Sequence, residues 1–269
     1  MEQYQLKGEE LLYIAANLGA EQLYGVKDVL VGLSEQERKL KIFEVEKNLT
    51  AKKYIEEDFD GNIEIKKNIK EVVSICAFFQ SCLFMEGIQD GEQDFCYYFI
   101  KDDVVYSMKK ADEDNYVLTL IEGSTLKSKV HEVVKKELTV DSTISEFLVS
   151  LEEMERITTL MKHGATEKGK EELIAAGADE KIANAIVDAI EKKVDFYSFV
   201  FMEQSEERVY PHHVMFIQSD VLLKVEYRMQ DYDDYMCFYP VDVESIEKSL
   251  DAGLERLDIK VVQNVDTFM

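Results

Sequence analysis

Apolar residues recur every three or four positions, then every two, then every three or four again, and this succession runs twice along the 269 residues. Ile65, Ile69 and Val73 stand four apart, as do Ile182, Ile186 and Ile190, which predicts helices near 63–77 and 179–192. An aromatic-rich strand follows each helix, AFFQSCLFM in one case and VDFYSFVFM in the other. Val104, Tyr106 and Met108, and later Val221, Leu223 and Val225, alternate with polar residues and so mark one face of a strand. DFCYYFI and PHHVMFI precede them as buried strands, joined by short polar turns around 101–103 and 218–220. Leu126, Val130 and Val134, then Ile246, Leu250 and Leu254, predict a closing amphipathic helix each time. Ser124 or Thr125 is placed to cap the first and Asp242 the second.

The two passages are related in letters as well as in period. FIKDDVV at 99–105 and FIQSDVL at 216–222 lie 117 residues apart, and the same shift sets Phe84 on Phe201 and Met85 on Met202. The shift slips after the hairpins KKADEDN and YRMQDYDD, the second read as a longer loop, so that Tyr116 meets Tyr235 and Leu126 meets Ile246. A capping box, SEQE at 34–37, predicts a helix with Leu40 and Phe43 on its apolar side. Another, TISE at 143–146, predicts a helix through Phe147, Leu151 and Met154 to about Leu160. Ahead of them, Leu11, Leu12, Ala15 and Leu18 give the first 33 residues one amphipathic helix ended at Gly19. The fold class expected is α+β and internally duplicated: two pseudo-two-fold related units of antiparallel sheet flanked by helices. Residues 1–33 form an N-terminal helical extension, 34–140 the first unit and 141–269 the second, in one compact body.

Composition narrows the function. Fifty-five acidic side chains against 31 basic ones leave a formal charge of −24, which repels phosphate backbones and anionic lipid. No apolar run approaches the roughly 18 residues of a membrane span, and MEQYQLKGEE lacks the basic and apolar regions of a signal peptide, so a cytoplasmic protein is expected. Cys76, Cys82, Cys96 and Cys237 form no C-x-x-C and lie among apolar neighbours, the setting of buried reduced thiols. His212 and His213 are adjacent on a strand and face opposite sides, unsuited to one metal. DEDN at 112–115 and DYDD at 231–234 carry carboxylates on hairpin turns without the glycine and terminal glutamate of a calcium loop. No nucleophile elbow, dinucleotide fingerprint, phosphate loop or zinc-protease motif occurs, so no enzyme, cofactor or metal site is expected. A dispersed carboxylate site is left as the one catalytic alternative, ranked after binding. Met229, Gln230, Asp231, Tyr232 and Tyr235 place aromatic rings and a methionine at or beside the second hairpin loop, where they either form a protein-binding tip or fold back on the sheet.

The segment EVEKNLTAKKYIEEDFDGNIEIKKNIKEVVSICAFF and the opening ELLYIAANLGAEQL resemble the EspG family of type VII (ESX) secretion chaperones. The duplicated layout, length and acidity agree with that family, whereas the tryptophan common in its first helix is absent, as the chain has no Trp. The resemblance implies a non-catalytic cytosolic chaperone or adaptor that holds a helical secreted protein or heterodimer, with a component of the secretion machine as a further partner. It also implies a grip made by a sheet loop, here Met229 to Asp234, and by a C-terminal helical segment, here Val243 to Leu257 with Val243, Ile246, Leu250 and Leu254 as its contact residues. Charge alone allows a different reading, an acidic immunity protein neutralising a basic toxin. Salt separates the two, since an ionic grip weakens with ionic strength and an apolar one does not.

Overall fold

A computed structural model describes residues 2–60, 62–135, 143–204, 209–230 and 232–257. In chain order the elements of the first half are β1 (Gln3–Lys7), α1 (Gly8–Asn17), α2 (Glu35–Ala51), β2 (Ile55–Glu57), β3 (Ile63–Ile65), α3 (Lys67–Ala77), β4 (Ser81–Gln89), β5 (Glu92–Lys101), β6 (Val104–Lys110), β7 (Asn115–Ile121) and α4 (Gly123–Glu132). Those of the second half are β8 (Phe147–Ser150), α5 (Leu151–Lys162), α6 (Thr166–Ala175), α7 (Glu180–Ile190), β9 (Asp195–Gln204), β10 (Val209–Gln218), β11 (Leu222–Gln230), β12 (Asp233–Pro240) and α8 (Val243–Arg256).

Ten strands form one antiparallel sheet in the order β1-β7-β6-β5-β4-β9-β10-β11-β12-β8. β4 and β9 pair at its centre, with Phe84 opposite Val200, and from there the order of elements outward is the same in both directions. Because side chains alternate across a strand, each face of the sheet needs its own cover. α1, α2 and α3 cover one face of the first half, packing Leu11, Ile14, Leu49, Ile69 and Val73 on Phe99, Tyr106 and Leu118. α5, α6 and α7 cover the same face of the second half, with Ile157, Leu173, Ile182 and Ile186 on Ile217, Leu223 and Phe238. The opposite face carries α4 and α8, whose Leu126, Val130, Ile246 and Leu250 share one core with Tyr98, Phe199, Phe201 and Phe216. That core crosses the midline, and polar bonds follow it. Gln218 donates to Val133 O and accepts from Lys135 N at the end of α4, while Ser81 donates to Leu257 O (2.8 Å) beyond α8.

The structure departs from the sequence reading at several points. The matching letters are out of step in the strands. Phe99 and Phe84 face α1–α3, but Phe216 and Phe201 face α4 and α8. A register error of one residue turns a strand over, so these phenylalanines are not equivalents. The ladder pairs Ile100 with Val105 and Gln218 with Leu222, which makes Tyr98 the counterpart of Phe216. The shift of 117 holds only in β6 and β11, where Tyr106 and Leu223 share a face. Tyr116 corresponds likewise to Met236 rather than Tyr235. TISE does not open a helix: Phe147–Ser150 form edge strand β8, and Ser150 caps α5 by accepting from Glu153 N. The first 33 residues contain β1 as well as α1, and the helix expected from 63 begins at Lys67 after the small hairpin of β2 and β3. SEQE does cap α2, with Ser34 and Glu37 bonding reciprocally, but Leu40 and Phe43 are exposed and Val45 and Leu49 are the buried positions. Glu122, not Ser124 or Thr125, occupies the N-cap position of α4 and makes no side-chain cap bond, whereas Asp242 caps α8 by accepting from Ser245 N at 2.7 Å.

Candidate partner-binding surface

β11 and β12 form a ladder in which Tyr227 faces Met236, Arg228 faces Tyr235, Met229 faces Asp234 and Gln230 faces Asp233. The expected long loop is therefore mostly strand, with Asp231 and Tyr232 alone between the strand ends; Asp231 lies outside the described residues. Tyr232 adopts φ 72°, the left-handed geometry a tight turn requires. Edge strand β8 pairs only with Tyr235 to Phe238, so the end of the hairpin projects past its neighbour.

The two faces of the hairpin differ in chemistry. On the α8 side, Lys224 pairs with Glu226 (3.0 Å), and Arg228 reaches Glu146 (3.3 Å) and Glu226 (3.6 Å). The Arg228 guanidinium also lies over the Tyr239 ring, 5.6 Å from its centroid. Burial raises the Glu226 carboxyl, but the Tyr239 hydroxyl and Lys224 outweigh it and hold the acid below its ordinary value. This ladder ties the stem to β8 and α8. On the other side and at the tip, Tyr227 is 56% exposed, Met229 76% and Tyr232 100%. Tyr227 was not singled out from the sequence, although it continues the parity of Leu223 and Val225 outward to Met229.

The predicted site residues separate into two groups. Met229, Gln230 and Tyr232 are exposed at the tip, and Tyr235 is half-buried beside Ser150. Ile246, Leu250 and Leu254 are buried in the core shared with Phe199 and Phe216, with Val243 packed against it. Their regular spacing is the core face of α8, so they offer no surface to a partner; the exposed side of that helix presents Glu244, Lys248 and Glu255.

Groups with potential chemistry are dispersed or committed elsewhere. All four cysteines are free and buried; burial pushes the Cys96 and Cys237 thiols up to about 11, which suppresses the reactive thiolate. His131 meets Asp251 across α4 and α8 at 3.2 Å, and His163 Nδ1 meets Thr159 O. Burial first, then Arg256, lowers the His212 pKa. Asp112 accepts from Asp114 N, Asn115 N and Asn115 Nδ2, closing its own turn. Among the described residues no group of three or more His, Cys, Asp or Glu is placed to hold a metal ion, and no helix is long and apolar enough to cross a membrane.

No protein-family model matches the chain, and no curated protein matches it. Among solved structures it is similar to the Mycobacterium tuberculosis type VII secretion system chaperone EspG5, in a structure of that chaperone in complex with the PE25–PPE41 dimer. The match has a TM-score of 0.53 and 8% sequence identity, and covers 95% of this chain and 96% of that one. What the two share is therefore a fold, spanning nearly the whole length of both.

Proposed function

We propose that this chain is a non-catalytic cytoplasmic chaperone or adaptor that binds a helical secreted protein or heterodimer of a type VII-like secretion system. The observation that carries the reading is the full-length likeness to a chaperone solved with a protein dimer. The projecting end of β11 and β12 supports it, because a chaperone needs exposed apolar side chains on a firm support to cover apolar surface on its client. Met229, Tyr232 and Tyr227 are that gripping set, and Tyr235 and the Arg228–Glu146 pair hold it in place. α8 contributes by supporting the stem, through Lys224 and Ser249 (3.1 Å), rather than through its apolar stripe. Two units that arose by duplication belong to the same reading, 34–140 and 141–269, and the repeated order of elements about β4 and β9 supports it once β1 and α1, which lie ahead of residue 34, are counted with the first unit as the counterparts of β8 and α5. Only one unit then carries the grip: at the corresponding hairpin the first presents Asp112, Glu113 and Asp114. The test is purification of the intact chain from the cells that make it. The wild type is expected to bring down a small helical protein or pair, and the double variant Met229→Asp, Tyr232→Asp to lose it while keeping its circular dichroism. Equal recovery by both removes the hairpin from the account.

A further inference from the structure

A second apolar group stands apart from the hairpin described above. Between α2 and α3 the chain inserts β2 and β3, whereas the corresponding link in the second half, from α6 to α7, is a short turn through Gly177. The fold closes without such an insertion. Its base is anchored: Ile55 is buried, Ile65 and Tyr54 pack against the core, and Lys66 N donates to Tyr54 O (2.9 Å). Its tip is not, and Phe59 is fully exposed there. Asp58 fixes the turn, accepting from Asp60 N and Asn62 N at 2.8 Å each and from Asn62 Nδ2 at 3.0 Å.

Phe59 is collared by carboxylates. Glu56, Glu57, Asp58, Asp60 and Glu64 are all exposed, and no Lys or Arg occurs from Tyr54 to Ile65. Glu56 and Glu64 are directly opposite in the ladder, a like-charge pair that weakens a two-stranded hairpin and is relieved on one side by Lys66. An aromatic ring held in water by such a tip gains by burial in a partner, and the collar decides which partner. A second copy of this chain, at −24, is repelled, as are nucleic acid and anionic membrane. We infer that the hairpin of β2 and β3 is a docking knob for a protein whose apolar socket, sized for one phenyl ring, is rimmed by lysine or arginine.

The experiment places the photoreactive residue p-benzoylphenylalanine at position 59 of the full chain in the cells that make it, irradiates them and sequences the crosslinked peptides. Positions 113 and 232 serve as controls. A single protein crosslinked at 59, through a peptide with Lys or Arg flanking apolar residues, supports the inference, provided its yield falls by about tenfold or more when Glu57→Lys and Asp60→Lys are added. A yield at 59 no higher than at 113, an acidic crosslinked peptide, self-crosslinking or indifference to the charge reversals overturns it. Crosslinks from position 232 report on the hairpin of β11 and β12 independently, so failure of one surface is distinguishable from failure of the other.

Discussion

Single residues show where this chain has freedom and where it has none. Gly253 sits on α8 where a Cβ would come within 2.5 Å of the Phe201 ring, itself fully buried among Phe199 and Phe216. Gly253→Ala should therefore destabilise by about 1–3 kcal/mol through overpacking, seen as a lower denaturation midpoint with unchanged slope. Tyr232→Ala, at a side chain in open solvent, should stay within about 0.5 kcal/mol of the wild type. His212 gives a pH signature. Burial and the nearby Arg256 lower its pKa in the folded chain, so the unfolded chain binds the proton more readily. Its effect is to raise stability with increasing pH below the ordinary histidine value of about 6.5, and the penalty grows as pH falls toward the lowered folded value. Thermal melts of His212→Gln between pH 5 and 7 should accordingly be flatter with pH than those of the wild type; parallel curves would contradict this.

At the scale of elements, much of the architecture was legible and its surfaces were less so. Period identified α3, α7, α4 and α8 and the strands between them, because a stripe four residues apart reflects burial against a sheet wherever the sheet lies. Period does not say whether an apolar stripe is covered by its own chain or waits for a partner, which is why Ile246, Leu250 and Leu254 read as a candidate surface and proved to be core. The converse error befell Leu40 and Phe43: the buried positions of α2 are Val45 and Leu49, and polar contacts of Lys41 with Glu9 and of Glu46 with Tyr13 tie the helix to α1. Short edge strands were illegible for another reason. β1 and β8 have five and four residues, too few to set a pattern, and owe their form to the ladders with β7 and β12. Asp242, by contrast, announced its role, since an aspartate before an apolar-periodic run accepts from a free helix amide. Asp242→Ala should lower the melting temperature at neutral pH and speed hydrogen exchange in the first turn of α8. Hydrogen bonding from the Ser245 side chain, and then from Ser245 N, holds the Asp242 carboxyl below its ordinary value, so the gain is complete above that value and lost as pH falls through the lowered one.

At the scale of the whole molecule, the ten-stranded sheet joins the halves, and the core beneath α4 and α8 belongs to neither alone. Leu83, Tyr98, Leu126 and Val130 come from the first half and Phe199, Phe216, Ile246 and Leu250 from the second, and β4 and β9 would each present a bare edge if separated. Residues 1–140 and 141–269 made separately should thus be unfolded or aggregated, and made together should recover a dispersed amide spectrum; a monomeric, dispersed spectrum from either alone would refute the shared core. A two-half platform of this kind would suit the passive grip proposed above, with the apolar tip of β11 and β12 raised above an acidic body. The body's charge sets the sharpest contrast with neutralisation of a basic partner, so the most direct measurement is the salt dependence of the complex with the helical partner recovered from cells. Between 50 and 500 mM NaCl the dissociation constant should change by less than about threefold, as the proposed burial of Met229 and Tyr232 by the partner demands. A loss of about a hundredfold or more would mark an ionic contact and contradict an apolar grip.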